Sequence, residues 1–186
     1  MMLRFTFLIL SFLIFHSNGL KAQEFLTEKG KTLFISKAPM SEFTGESGQL
    51  HGLINLDKNL LDFYIDLNTL KTGIGLRDRH MRENYLETKK FPFAEFTGQI
   101  ENVPTLIIGK EVPVTAKGKF KIHGVEREIE VPGTIKKLTE GELGLKAEFK
   151  VLLGDYNIAI PKVMFYELAE EQIVKIDAVL KKKKKL

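Results

Sequence analysis

Along most of the chain apolar and polar residues alternate with a period of two, the spacing of strands that bury one face. In 31–36, Leu33 and Ile35 share a face, and Leu50, Gly52, Ile54 and Leu56 do the same further on. Leu61, Phe63, Ile65 and Leu67 alternate with Asp62, Tyr64, Asp66 and Asn68, and Phe96, Gly98 and Ile100 follow Phe91-Pro92-Phe93. The most regular stretch sets Val114, Ala116, Gly118, Phe120 and Ile122 against Thr115, Lys117, Lys119 and Lys121. His123-Gly124 reads as a tight turn. The chain then returns as Val125, Arg127, Ile129 and Val131, with Glu126, Glu128 and Glu130 between them. Lysines on one strand therefore face glutamates on the next, each pair worth ~0.2–1 kcal/mol and together fixing the register. Leu145, Ala147, Phe149 and Val151, and finally Val174, Ile176, Ala178 and Leu180, complete the set.

About eight strands with short Gly-, Pro- or Asn-containing turns predict an all-β domain, an eight-stranded antiparallel barrel. A two-sheet sandwich is the competing arrangement. A ring of this size leaves an interior that side chains just fill or that holds one small ligand. One segment breaks the alternation. Residues 77–87 are rich in helix formers, with Met81 and Tyr85 on one face at i, i+4. Gly73 and Gly75 precede this segment and Pro92 stops it, so it is predicted as a short helical loop across one barrel mouth. A second irregular piece, 155–168, carries Met164, Phe165 and Tyr166 and is expected to add to the rim.

The ends of the chain have different compositions. Arg4, an apolar run from Phe5 to Phe15 and the polar stretch to Ala22 have the layout of a secretory signal peptide. Cleavage after Ala22 and a periplasmic or secreted location are expected. The run is short for a membrane helix, which crosses roughly 30 Å. An uncleaved anchor or a buried N-terminal helix is the alternative. The barrel is expected over 23–180, followed by a disordered lysine-rich tail, 181–186, with weak affinity for a membrane surface. The formal charge of +4 belongs to these ends. The region between them holds more acidic than basic residues, which argues against a nucleic-acid-binding surface. There is no cysteine, hence no disulfide.

Catalytic groupings are missing from the sequence. Outside the leader, His51, His80 and His123 are scattered, and no zinc-like spacing joins them. His123 reads as a hydrogen-bonding turn residue, and His80 as one member of a local charge pair with Glu83 or Glu87. No nucleophile elbow or phosphate loop is present. No catalytic residue, metal or cofactor is expected. An enzyme reading would have to use Arg77, Asp78, His80 and Glu83 at the mouth. The apolar capacity is more informative. Phe63, Phe96, Phe120 and Phe149 face inward, and the small residues Gly52, Ala116, Gly118 and Ala147 are expected to leave room along the axis. The expected ligand contacts are Phe63, Ile65, Met81, Tyr85, Phe96, Phe120, Ile122, Phe149, Val151 and Ile176, with Met81 and Tyr85 as an adaptable lid.

Four segments together resemble the YceI-like family. They are Arg77-Asp78-Arg79-His80-Met81-Arg82 with Asn84-Tyr85-Leu86-Glu87, then Lys90-Phe91-Pro92-Phe93-Ala94-Glu95-Phe96-Thr97-Gly98. Further on come Gly118-Lys119-Phe120-Lys121-Ile122-His123-Gly124-Val125 and Leu153-Gly154-Asp155-Tyr156-Asn157-Ile158-Ala159-Ile160-Pro161. The N-terminal strand departs from the family's usual acidic and histidine-containing opening. The resemblance implies a lipocalin-like barrel around an elongated amphiphile such as a polyisoprenoid, without catalytic residues. The expected function is an exported lipid-binding protein for a polyisoprenoid, quinone or fatty-acid derivative. An interaction or structural module with a filled core is the alternative.

Overall fold

The computed structural model describes residues 23–101, 105–160 and 168–184. The expected leader, the rim residues Met164, Phe165 and Tyr166, and the last two residues of the tail lie outside them. Among the described residues, eight strands form one closed barrel in sequence order. They are β1 (Glu24–Ala38), β2 (Ser41–Asn55), β3 (Leu60–Asp66), β4 (Phe93–Glu101), β5 (Glu111–Ile122), β6 (Val125–Thr139), β7 (Glu142–Leu152) and β8 (Glu171–Lys182). Each strand pairs antiparallel with the next, and β8 returns to β1 through Thr32 opposite Ile176 and Phe34 opposite Val174. With the ring closed, no sandwich edge remains.

Inward positions follow the alternation on β2 to β8, where Leu50, Ile54, Leu61, Phe63, Ile65, Ile100, Ala116, Phe120, Val151 and Leu180 are all buried. On β1 the expected phase is reversed. Leu33 and Ile35 share a face, but it is the outer one, while Thr32 and Ser36 are buried and Phe34 packs on the core. Irregular pairing between Thr27, Gly30 and Thr32 shifts the count, as a bulge does when one extra residue is inserted. The lysine run also differs from expectation. β8 extends through Lys182, and the Lys183 amide donates to the Glu24 carbonyl at 2.8 Å, so the run begins as strand.

On the outer face the predicted register holds, with Lys117, Lys119 and Lys121 opposite Glu130, Glu128 and Glu126. The ion pairs are more varied. Lys117 bonds Glu130 at 2.9 Å and Glu101 at 3.1 Å, Lys119 reaches diagonally to Glu126 at 2.9 Å, and Lys121 turns to Glu95 at 3.1 Å. The hydrogen bonds that Lys117 and Lys119 donate to these glutamates, and then the glutamates' charge, hold both ammonium pKa values above the ordinary lysine value.

Two glycines expected to widen the interior instead seat aromatic rings. A Cβ on Gly52 would lie 2.1 Å from the Phe63 ring, and one on Gly118 would meet the Phe96 ring at 3.0 Å. Gly98 and Gly118 are also paired directly across β4 and β5. A Cβ on Gly118 would come within 2.4 Å of the Thr97 carbonyl and 2.5 Å of the Gly98 Cα.

The long β3–β4 connection is tied down at several points. Helix α1 (Gly75–His80) runs straight into a π-helical turn, Met81–Tyr85. Lys71 exchanges two 2.9 Å backbone hydrogen bonds with Glu46, and the Thr88 hydroxyl donates to Asn68 Oδ1 at 2.7 Å. Asp78 is buried and accepts from both the Thr72 amide and the Thr72 hydroxyl, each at 2.7 Å. Burial opposes ionisation of Asp78, but the Thr72 hydrogen bonds and the charges of Arg82 and Lys71 outweigh it and keep its pKa below the usual aspartate value.

A second tie joins three loops. His123 takes a left-handed backbone conformation (φ 53°), as does Glu87 (φ 46°). The His123 ring places Nε2 2.8 Å from Glu87 Oε2 and Nδ1 3.1 Å from the Tyr156 carbonyl. Phe91 packs edge-on against the same ring at 4.8 Å. His123 is thus the hydrogen-bonding turn residue expected. Glu87 serves it rather than His80, for which no charge pair exists among the described residues.

Two outcomes follow. Gly118→Ala should destabilise the barrel by about 1–3 kcal/mol, since its Cβ meets backbone that cannot rotate away. In a chain of this size that lowers Tm by roughly 2–4 °C per kcal/mol. Gly48→Ala, with nothing within 4 Å of its Cβ, should leave Tm near wild type in the same thermal melts. The second outcome concerns acid. Because the folded pKa of Asp78 is depressed, its stabilisation is present above the unfolded value of about 3.9 and is lost as pH falls through the folded value. The Tm gap between wild type and Asp78→Asn should therefore be widest near neutrality and close in acid.

Candidate functional site

The barrel interior is a cavity of about 540 Å3, within the range of roughly 300–1,000 Å3 typical of small-molecule sites. Its wall is almost entirely apolar. Phe63, Ile65, Met81, Tyr85, Phe96, Phe120, Ile122, Phe149, Val151 and Ile176 all stand in it. Alternation explains why they converge: in a closed ring, every second residue of every strand has only the interior to face. On β5 the wall runs from Val114 to Ile122, roughly 26 Å of strand, or about 20 Å along the axis at the usual barrel tilt.

The two ends differ. At the end holding Glu24 and Lys182, Phe25, Ile54, Leu143 and Leu180 are buried against one another and stand outside the cavity wall. They come from β1, β2, β7 and β8 and plug that end. At the opposite end the wall continues onto Phe43 of β2, then Leu76, Arg77, His80, Met81 and Tyr85 of the helical segment, and Leu153, Ile158 and Leu168 of the β7–β8 connection. The cavity is therefore a pit that reaches the mouth under α1. The four segments that carry the family resemblance all meet at this mouth, where Glu87, Phe91, His123 and Tyr156 form the loop tie.

Several wall residues were missed from sequence. Phe34 was hidden by the phase shift on β1. Ile135 lies beyond Pro132-Gly133, a pair that reads as a strand stop, yet β6 continues through Thr139 with Pro132 opposite Thr115. Leu50, Leu61, Val131 and Leu145 carried the alternation signal and also line the cavity. Of the four small residues expected to open the interior, Ala116 and Ala147 stand in the wall, whereas Gly52 and Gly118 lie behind Phe63 and Phe96.

Polar chemistry in the wall is sparse. Gln172 is held by Nε2 hydrogen bonds to the Ala169 carbonyl at 2.6 Å and Ser36 Oγ at 3.3 Å. Gln172 Oε1 and Thr32 Oγ1 are buried without a hydrogen-bond partner among the described residues. The Arg77 guanidinium lies 4.2 Å over the Phe43 ring, Asp78 turns to Thr72, and Glu83 is exposed. No hydrogen bond or ion pair joins Arg77, Asp78, His80 and Glu83 among the described residues. Nor do three metal-ligating His, Asp or Glu side chains gather there.

Comparison with known proteins places this geometry. The YceI-like domain profile matches residues 21–180. A polyisoprenoid binding domain from Saccharophagus degradans, implicated in plant cell wall breakdown, superposes with a TM-score of 0.77 at 20% identity, covering 88% of this chain and 100% of that one. Burkholderia cenocepacia BcnA gives 0.67 at 18% identity, covering 81% and 96%. The Campylobacter jejuni YCEI protein gives 0.63 at 19% identity, covering 75% and 85%. No match is found among curated proteins. With the profile spanning nearly all of the closed barrel and its mouth segments, the chain belongs to the YceI-like family.

Proposed function

We propose that the protein is exported and binds one long apolar amphiphile (a polyisoprenoid, a quinone or a fatty-acid derivative) inside the barrel, sequestering or carrying it without catalysis. The observation that carries this reading is the apolar pit of about 540 Å3, closed at one end and reaching the surface at the other. Each methylene moved from water into such a wall contributes about 0.8 kcal/mol, so an elongated chain binds without any specific polar group. Phe120 and Phe149, edge to face at 5.5 Å, form a stiff part of that wall. Met81 and Tyr85 belong to the short helical segment at the mouth, which suits a lid that repacks around different tails. The polyisoprenoid binding attributed to the Saccharophagus degradans domain supports the same ligand class. Export rests on the leader pattern of residues 1–22, and weak attraction to anionic lipid is assigned to the terminal lysines. No nucleic-acid partner is invoked.

Native mass spectrometry of protein purified from its own host should show a lipid adduct that is released on denaturation. Protein that is consistently empty would sink the reading. Ala147→Trp should reduce occupancy by at least about tenfold, because the added ring fills the pit, while circular dichroism still reports a folded barrel. The intact mass of the exported protein should correspond to a chain beginning at Gln23; a retained leader would contradict export by cleavage.

A further inference from the structure

The surface of the barrel is uneven in its charge pairing. On the wall, several lysines are matched by glutamates: Lys31 with Glu46 at 2.7 Å, Lys150 with Glu171 at 2.8 Å and Lys175 with Glu148 at 3.0 Å, besides those on β5. The mouth is different. Lys71, Arg79, Lys89 and Lys90 are exposed there, and Arg77 lies over Phe43. Among the described residues none of these five cations has an ion-pair partner. Nearby carboxylates are mostly occupied: Asp78 by Thr72, Glu87 by His123 and Glu42 by Lys37, leaving Glu83 exposed.

Large apolar side chains stand among these cations. Met40 in the β1–β2 turn is 77% exposed, Ile74 before α1 is 50% exposed and Leu76 in its first turn is 55% exposed. Ile74 and Leu76 also border the cavity, so the exposed apolar surface is continuous with the interior. A soluble surface gains nothing from three such groups beside an opening.

We propose that this mouth docks on an anionic lipid bilayer, with Met40, Ile74 and Leu76 entering the interface and the unpaired cations resting on the headgroups. Apolar side chains ringed by Lys and Arg are the composition that interfacial anchoring requires. Each cation near such a surface favours binding severalfold, and salt weakens the effect. Docked in this way, the pit opens toward the acyl region, so a long lipid can enter or leave without crossing water. That purpose rests on the lipid-carrying reading, whereas docking itself is measured without reference to cargo. The opposite end is the competing face. It exposes Ile107 and Ile108 beside Lys58, Lys110, Lys181, Lys182 and Lys184, none of which has an ion-pair partner among the described residues. Charge alone therefore does not separate the two ends; the mouth is singled out because Ile74 and Leu76 border the cavity, whereas Ile107 and Ile108 do not.

Vesicle co-sedimentation tests the proposal, using phosphatidylcholine vesicles with and without phosphatidylglycerol. The protein should bind only the vesicles containing phosphatidylglycerol, and added salt should release it. Ile74→Asp/Leu76→Asp and, separately, Arg79→Glu/Lys89→Glu should each weaken binding at least about tenfold. These sites are on the surface, and unchanged thermal melts would confirm that the variants fold. Ile107→Asp/Ile108→Asp should bind within about twofold of wild type. The proposal is overturned if wild type ignores anionic vesicles, if the mouth variants bind normally, or if only the opposite-end variant loses binding. Native mass spectra of Arg79→Glu/Lys89→Glu, whose residues do not line the cavity, should still show the lipid adduct. A missing adduct in wild type would refute the carrier reading and leave docking to stand or fall on the vesicles.

Discussion

Closure of the β8–β1 seam is the constraint on which the rest of the molecule depends. Once Thr32 lies opposite Ile176 and Phe34 opposite Val174, the sheet closes into one barrel, and every second side chain on each strand is committed to one shared interior. An eight-stranded ring has an interior that side chains can just fill or that can hold one small ligand, and the size of the inward residues decides which. The cavity of about 540 Å3 is thus a consequence of the architecture together with Ala116 and Ala147 in its wall. Where the ring carries large residues at one level, as with Phe25, Ile54, Leu143 and Leu180, the same geometry gives a packed plug.

The two ends then have different work. The plugged end is bounded by the β2–β3 and β6–β7 turns, the longer β4–β5 connection and the two chain-end segments of the barrel, β1 and β8. The open end carries the long connections. It is held in shape by Asp78 on Thr72, by the Lys71–Glu46 backbone bridge and by His123 between Glu87 and Tyr156. Left-handed backbone at both Glu87 and His123 costs conformational energy that these contacts offset. Ordering the mouth while leaving its apolar rim exposed and five of its cations without ion-pair partners among the described residues is a combination suited to an entrance.

Much of this was legible in the sequence, because the period of two states which residues share a face. The Lys/Glu register across β5 and β6 followed from it, as did eight of the ten wall residues named from sequence, whereas Met81 and Tyr85 followed from the i, i+4 spacing of the helical segment. Three features were not legible, each for a physical reason. The phase of β1 depends on a bulge near Gly30, and a one-residue insertion moves every later side chain to the other face. Pro132 sits within β6, although local propensity argues for a break there. The glycines at 52 and 118 looked like empty space, yet their neighbours Phe63 and Phe96 lie across them; a missing side chain can equally be the seat for a ring. His123's contacts with Glu87 and Tyr156 span 36 and 33 residues, a separation at which spacing carries no signal.

The central claim is that the barrel is built around a guest rather than around its own side chains. A crystal structure of protein purified from its host without any lipid-stripping step tests it most directly. The account predicts continuous elongated electron density between Phe63, Phe120 and Ile135, rising toward Met81 and Tyr85 at the mouth. An interior closed over by rearranged phenylalanines, with no space left for a chain, would contradict it.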